Sequence, residues 1–220
     1  MITTTHAPSQ NPWAGAPGLP EIAVEENTSR AVEFILATLG PTTLTAIGPD
    51  DGRIRSFWLD EDVRLDAIGW LDAHAGRGMN LYFNPNQPIW GLKKKPTKRE
   101  ISLIRCGAYA DIDFKDGRTP EAAWAAITAL PRAPTVIVMT GGGFQPIWKL
   151  PEPLAATAET IARVEATGKN IAGLTGGDQV QNVDRILRIP FTRNYPNARK
   201  RAAGRVQSVS GLVLTGDAQW

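Results

Sequence analysis

The sequence predicts an α/β fold in which helices cover a mixed sheet. The first observation behind this prediction is the order of predicted elements in the middle of the chain, β-α-β-β-α. The second is the heptapeptide YADIDFK at residues 109–115, where polar and apolar residues alternate as they do on a half-buried strand. The third is that 220 residues, of which 42% are hydrophobic and 21% charged, can bury a sizeable core.

In the first part of the chain, the sequence pattern predicts a flexible arm followed by two helices, a hairpin and a further strand. Residues 1–27 are rich in Thr, Pro, Gly and Asn without periodicity, and we expect a flexible N-terminal arm. The elements predicted next are a helix capped by Thr28 or Ser29 and ending at Gly40, a hairpin of strands 42–47 and 54–59, a helix from about Leu65 to Gly76, and a strand at 80–83.

The second part of the chain predicts strands and helices around the acidic heptapeptide. These elements are a strand at 109–115, a helix with Thr119 as its cap and Pro120 at its first position, strands at 135–139 and 144–150, a helix at 154–167, a short helix at 178–188, and one or two strands at 206–214. The glycines at 141–143 separate two strands, so neither nucleotide motif fits, because both require a turn into a helix. They form either a plain hairpin bend or an anion-binding corner.

Cysteine and histidine usage excludes several kinds of site. Cys106 is the single cysteine, so an internal disulfide and a thiolate zinc site are excluded and a reducing cytoplasm is expected. The two histidines, His6 and His74, lie near no other candidate group, which excludes histidine-based triads. No apolar run approaches the roughly 18 residues of a membrane span, so no membrane partner is expected.

Positive charge is concentrated in two parts of the sequence, although the formal net charge is only +2. The first cluster contains Lys93, Lys94, Lys95, Lys98 and Arg99. The second contains Arg185, Arg188, Arg193, Arg199, Lys200, Arg201 and Arg205. A basic run is usually a solvated face, but two such clusters on either side of a carboxylate strand suit a bound polyanion.

Three aspartates are candidate metal ligands. Asp111 and Asp113 lie two residues apart, roughly 6.6 Å along a strand, and would share one face, where they can bind divalent cations or simply be solvated. Asp184 lies at helical spacing from Arg188, which predicts either a helix-stabilising pair or part of a metal–nucleotide site.

Three motifs together resemble those of the archaeo-eukaryotic primase superfamily, in particular the RepB-like primase-polymerase (PrimPol) domains of phages and plasmids. They are ADID at 110–113, TGGGFQPIW at 140–148 and DRILRIP at 184–190. YFNPN at 82–86 and TRNYPNARK at 192–200 are also similar to that family. The order is correct over most of the chain, which is more specific than any one motif.

The resemblance implies a two-lobed catalytic core with an RRM-like sheet, in one domain at 28–220 with lobes at 28–90 and 91–215. The activity it implies is template-directed nucleotidyl transfer by a DNA primase or DNA polymerase, in replication of a phage, plasmid or mobile element. It also implies a single-stranded DNA template, a primer, NTP or dNTP and a helicase domain or protein as partners. The chain is accordingly expected to be a fragment of a longer replication protein.

The resemblance also implies the roles of individual residues. Two Mg²⁺ or Mn²⁺ ions would be held by Asp111, Asp113 and Asp184. The nucleotide-binding residues would be Thr140, Gly141, Gly142, Gly143, Gln145, Arg185, Arg188 and Asn84. The nucleic-acid-binding residues would be Lys93, Lys94, Lys95, Lys98, Arg99, Arg193, Arg199, Lys200 and Arg201.

Two positions depart from the family pattern, and two other functions stay open. Gln145 stands where the family usually has His, and Phe191 stands where Gly commonly follows the proline. The main alternative is a catalytically inactive nucleic-acid-binding module for replication initiation, which Gln145 favours. A metal-dependent glycosyltransferase also uses Asp-x-Asp, but it leaves the third motif unexplained.

Overall fold

The structure is a computed structural model that describes residues 18–20, 22 and 24–214. Most of the predicted N-terminal arm therefore lies outside the described residues. Within its described part, Leu19, Ile22 and Val24 pack against a buried cluster that includes Phe144 and Ile127.

Five α-helices lie in the described chain. Their bounds are α1 (Thr28–Thr38), α2 (Arg64–Ala75), α3 (Pro120–Thr128), α4 (Ala158–Thr175) and α5 (Ala198–Ala202), and a 3₁₀ turn spans Lys98–Glu100. None of these helices is both long and apolar enough to cross a membrane. Thr119 caps α3 as predicted, with Pro120 in its first turn. Asn27 caps α1 one residue earlier than predicted, because its side chain accepts the N–H of Arg30 at 2.9 Å.

The strands are short apart from β5 and β8. Their bounds are β1 (Thr42–Ile47), β2 (Ile54–Leu59), β3 (Asn80–Phe83), β4 (Gln87–Pro88), β5 (Ile101–Tyr109), β6 (Ile112–Asp113), β7 (Val136–Met139), β8 (Gly143–Ala155), β9 (Leu187–Arg188), β10 (Arg193–Asn194), β11 (Ser208–Val209) and β12 (Gly211–Leu214).

The strands form two main sheets. One has the order β2-β1-β3-β9, and the other has the order β12-β7-β8-β5-β4, with β6 also paired to β8. The α/β architecture is confirmed, but each described strand pair is antiparallel, so the sheets are not mixed. The β1–β2 hairpin has the predicted bounds, with Thr42 opposite Leu59 and Ile47 opposite Ile54. One buried cluster contains Leu44 of the first sheet and Ile147 of the second, so a common core joins them.

The helix predicted at 178–188 is wrong. Residues 176–186 form turns and irregular backbone, and β9 then pairs with β3 through Phe83 and Leu187. Tertiary pairing therefore overrides the helical spacing of this segment. The preceding helix, α4, is longer than predicted and ends at Gly176, whose φ is +63°.

Candidate active site

A polar cavity of about 290 Å³ lies where the two sheets meet. Asp111 lies just before β6, Gln145 lies on β8 and Arg188 lies on β9. All three line the cavity. Asp111 and Gln145 belong to the side where β6 pairs with β8, and Arg188 belongs to the side where β9 pairs with β3. The structure thus brings together one residue of each motif that the sequence indicated.

Asp111 and Asp113 form the acidic wall of this cavity. The side chain of Asp111 is only 18% exposed. Burial, together with the charge of Asp113, raises the pKa of Asp111 above its ordinary value. The side-chain amide of Gln145 and the guanidinium of Arg185 oppose this shift from distances of 3.3 and 3.6 Å. Asp111 is therefore a carboxylate whose negative charge the protein compensates only in part.

The third acidic residue of the cavity is Asp178, not Asp184. The backbone N–H of Asp178 donates to the carbonyl oxygen of Asp111 at 2.8 Å, and its charge adds to the raised pKa of Asp111. Its carboxylate pairs with Lys115. Asp184 does not line the cavity and accepts a hydrogen bond from Asn182 at 2.7 Å. The structure does not place Asp184 beside Asp111 and Asp113 in this cavity, because the segment is a loop that directs Arg185 into it; the metal-ligand role of Asp184 stays a prediction.

Arg188 is a buried cation with neutral partners, and its side chain is 6% exposed. Its guanidinium donates to three side-chain oxygens: Asn80 at 2.9 Å, Tyr82 at 3.1 Å and Asn194 at 2.8 Å. It also lies 4.4 Å from the centroid of the Tyr82 ring. Burial lowers its pKa.

Among the ion pairs of the described residues, none involves Arg188. The charge of Asp111 acts on the guanidinium through space, but no carboxylate of the described residues forms an ion pair with it. A buried charge without an ion-pair partner is costly by several kcal/mol, which favours an anionic ligand at this wall of the cavity.

Gln145 connects the basic and acidic walls. Its side-chain oxygen accepts the backbone N–H of Arg188 at 2.9 Å, and its amide nitrogen donates to Asp111 at 3.3 Å. Because a backbone N–H can only donate, this geometry fixes which end of the amide faces Asp111. Both ends of Gln145 are thus engaged by protein, so its contribution to a phosphate contact is at most its second N–H.

The glycine corner between β7 and β8 follows Thr140, which lines the cavity, and its first glycine, Gly141, lines the second cavity described below. Gly143 is paired with Asp113, and a Cβ at this position would overlap the carbonyl oxygen of Ile112. Gly141 has a φ of +79°, which favours glycine. Thr140 lines the cavity and donates from its hydroxyl to the carbonyl of Gly143 at 3.1 Å. The corner is the strand–glycine–strand turn that the sequence predicts.

Two further cations reach this cavity from the end of the chain, Lys200 and Arg205. Both also line a second cavity of about 160 Å³, which shares Arg188 with the first and extends to Ile47 and Pro49 of the β1–β2 hairpin. A continuous groove therefore runs from the carboxylates, past the buried guanidinium, to the hairpin. Arg205 was not predicted as a site residue, although it belongs to the second basic cluster.

The structure places other predicted residues away from the groove. Asn84 is fully buried outside the cavity, where its side chain accepts the N–H of Asn86 at 2.9 Å and holds a turn; its nucleotide contact stays a prediction. Arg193 pairs with Glu26, Arg201 pairs with Asp50, and Arg199 is exposed on α5.

The first basic cluster lies in the loop before the 3₁₀ turn, outside both cavities. Within it, Lys94 pairs with Glu100 and Lys98 pairs with Glu165, at 2.6 and 2.7 Å.

The acidic wall has the chemistry of a divalent-metal site. Among the described residues, no three His, Cys, Asp or Glu side chains are close enough to form a complete metal cluster. Asp111, Asp113 and Asp178 nevertheless line one cavity. Carboxylate oxygens are the donors that Mg²⁺ and Mn²⁺ prefer. The incompletely compensated charge of Asp111 is consistent with a cation at this wall.

Comparison with known proteins shows the fold. No protein-family model matches this sequence, and no curated protein matches it. The structure is similar to the AEP domain of the cyanophage S-2L primase-polymerase (PrimPol), with a TM-score of 0.60 and 15% identity over 91% of this chain and 95% of that chain. It is also similar to primase RepB', with a TM-score of 0.57 and 15% identity over 86% of this chain and 56% of that one.

A third similar structure is the catalytic domain of primase RepB' in complex with initiator DNA. Its TM-score is 0.56, with 16% identity over 86% of this chain and 84% of that chain. The chain therefore has the fold of a primase-polymerase catalytic core, and the predicted resemblance to RepB-like PrimPol domains is confirmed for the fold.

Proposed function

We propose that this protein is a nucleotidyltransferase that extends or initiates a strand on a single-stranded DNA template, as a DNA primase or DNA polymerase of a phage, plasmid or mobile element. The observation that carries the proposal is the arrangement of the cavity, with Asp111 and Asp113 on one wall and the buried Arg188 on another. A nucleoside triphosphate with bound metal needs both an anionic and a cationic wall at short range. The shared fold supports this assignment.

The carboxylates have the role of holding two Mg²⁺ or Mn²⁺ ions. Asp111, Asp113 and Asp178 are the proposed ligands, and the last must exchange its contact with Lys115 for the metal. When bound, the ions supply charge stabilisation at the phosphoryl oxygens and lower the pKa of the attacking hydroxyl. Gln145 donates from its amide to one carboxylate oxygen of Asp111 and so orients that side chain.

The cations of the groove bind the triphosphate. Arg188 is held in place by Asn80, Tyr82 and Asn194, so little side-chain entropy is lost when an anion binds. Lys200 and Arg205 add charge from the neighbouring wall. Gly141 of the glycine corner lines the second cavity together with these cations. Arg185, which also lines the cavity, is proposed as a further cation for the triphosphate.

DNA is the proposed polymeric partner. The similar catalytic domain of RepB' was solved with initiator DNA, and the exposed part of the two basic clusters supports the same partner here. Arg199 and Lys200 on α5, and the loop containing Lys93, Lys95 and Arg99, are the exposed cations proposed to contact phosphates. A helicase partner and a cytoplasmic location stay predictions from the sequence.

The second candidate function is a nucleic-acid-binding initiation module without catalysis. Two observations favour it. Gln145 stands where the family usually has His, and among the described residues no three carboxylates lie close enough to form a complete metal cluster. Retention of Asp111, Asp113 and a third cavity carboxylate favours the enzyme.

Incorporation of labelled nucleotides on single-stranded DNA, with and without a primer and with Mg²⁺ or Mn²⁺, decides between the two functions. We expect metal-dependent incorporation by the parent and none by the double variant Asp111→Asn, Asp113→Asn. Asp66→Asn, on the exposed side of α2, is the matched control and should retain parental activity. A parent that binds DNA but incorporates no nucleotide with either metal would establish the binding module.

A further inference from the structure

The loop at residues 89–100 is a fixed structure at the surface. Its ends are joined by the N–H of Ile89, which donates to the carbonyl of Glu100 at 2.7 Å. The hydroxyl of Thr43 on β1 donates to the carbonyl of Leu92 in the middle of the loop at 2.9 Å. A reciprocal pair of hydrogen bonds between Thr97 and Glu100 fixes its last turn. The loop is therefore held at its base, its centre and its end.

This loop presents an indole ring to solvent. Trp90 is 66% exposed, although it is among the largest apolar side chains of the protein. It packs against Trp58 of β2, with ring centroids 5.1 Å apart at an angle of 56°. Trp58 is itself buried and donates from its indole N–H to Asp60 at 2.7 Å. The exposed ring thus rests on an anchored one and keeps a surface available for stacking.

Positive charge surrounds the indole. Residues 73–99 contain no Asp or Glu, and the first basic cluster lies within this loop or at its end. Lys94 and Lys98 pair with Glu100 and Glu165. Lys93, Lys95 and Arg99 are exposed and take part in none of the ion pairs of the described residues. A polyanion can therefore bind here without breaking an existing ion pair at these three positions.

We propose that Trp90 is a base-stacking platform for single-stranded nucleic acid, with Lys93, Lys95 and Arg99 holding the flanking phosphates. An exposed aromatic ring among lysines is the combination that binds a single strand independently of its sequence. An acidic peptide would use the cations but gains little from an isolated ring without a surrounding pocket. The inference rests on the proposed function, because it assigns a contact of the same template.

The platform lies away from the reacting groups. Thr43, which contacts the loop, and Ile47, which lines the groove, are both on β1. Ile47 is four residues after Thr43, a path of about 13 Å. Trp90 lines neither cavity, so we expect it to hold a part of the template outside the site of incorporation.

The test is the affinity of the full chain for a fluorescent oligo-dT strand, measured by anisotropy over a series of salt concentrations. We expect Trp90→Ala to weaken binding about 5- to 150-fold with an unchanged salt slope, because stacking and not charge is lost. Trp90→Phe should retain most of the affinity. Lys93→Ala with Lys95→Ala should reduce the slope by about 1.4, since each phosphate contact contributes about 0.7. Leu65→Ala, at an 80% exposed residue of α2, is the control for loss of surface apolar area.

Two results would overturn the platform, together with the phosphate contacts of its loop, but leave the proposed nucleotidyl transfer in place. One is a Trp90→Ala variant with the parent's affinity, and the other is a double lysine variant with the parent's salt slope. Both results count only when the parent itself binds the strand and incorporates nucleotides. If Trp90→Ala does not fold, Trp90→Phe and the lysine variant decide the question. A parent that binds no single strand overturns both proposals.

Discussion

Gln145 accepts the backbone N–H of Arg188 through its side-chain oxygen at 2.9 Å. This hydrogen bond connects β8 of the six-stranded sheet to β9 of the four-stranded sheet. It also directs the amide nitrogen of Gln145 toward Asp111, so a single neutral side chain spans the acidic and the basic wall. Gln145 is therefore a positioning residue between two groups of the candidate active site.

The first prediction concerns this bridge. Gln145→Ala should lower the unfolding free energy by about 1–3 kcal/mol, because the buried N–H of Arg188 loses its acceptor. Gln145→Glu keeps an acceptor but adds a negative charge beside Asp111, which should raise the pKa of Asp111 further and move the acidic limb of the pH–activity profile to higher pH.

Urea unfolding and pH-dependent incorporation measure these effects. Gln207→Ala, at an exposed residue, is the control. Parental stability and activity in Gln145→Ala would show that the bridge has no role. Gln145→His tests the family's residue at this position, and activity restricted to that variant would support the non-catalytic function of the natural chain.

The second prediction separates the two aspartates that follow α4. Asp178→Asn should abolish metal-dependent incorporation, because Asp178 lines the cavity and its backbone is bonded to that of Asp111. Asp184→Asn should retain most of the activity, since Asp184 lies outside the cavity and accepts from Asn182. Single-nucleotide incorporation with Mn²⁺ distinguishes the variants. The reverse ranking would restore Asp184 as the metal ligand.

The contrast between these aspartates shows what the sequence could and could not predict. The β1–β2 hairpin and the cap of α3 follow from local turn and capping residues, and both have their predicted positions. The position of Asp178 depends on a backbone bridge to Asp111, a residue distant in the chain. Local spacing carries no information about such a bridge.

The same limit applies to the third motif. The sequence DRILR has helical spacing, but Leu187 pairs with Phe83 in the completed sheet. The sequence indicated Arg188 as a site residue, whereas its neutral partners Asn80 and Asn194 come from strands whose proximity only the fold establishes.

The third prediction follows from the burial of Arg188 among neutral hydrogen-bond partners. Arg188→Met removes a buried charge but leaves three side-chain oxygens without their donor, so the ligand-free variant should be less stable than the parent. The variant should lose the stabilisation that a dNTP gives the parent. Thermal unfolding with and without dNTP and Mg²⁺ measures both effects, with Arg199→Met, on the exposed side of α5, as control. Equal stabilisation of variant and parent by dNTP would exclude Arg188 as a phosphate ligand.

The last prediction concerns the charge of Asp111. Its pKa in the folded protein is raised above the ordinary value of 3.8, first by burial and then by the charge of Asp113. The protonated carboxyl is thus favoured by folding, and this contribution is complete below the ordinary pKa and lost as the pH rises through the folded pKa. The ionised Asp111 consequently destabilises the metal-free protein at neutral pH.

Asp111→Asn should therefore be more stable than the parent in urea at neutral pH, and the difference should shrink as the pH falls through the folded pKa of Asp111. Mg²⁺ or Mn²⁺ should raise the stability of the parent, since a ligand that binds the folded state stabilises it, and should have little effect on the variant. Asp66→Asn, which is exposed, should show neither behaviour. A variant less stable than the parent at neutral pH without metal would mean that the partners of Asp111, Gln145 and Arg185, already compensate its charge, and the argument for a cation at this wall would fail.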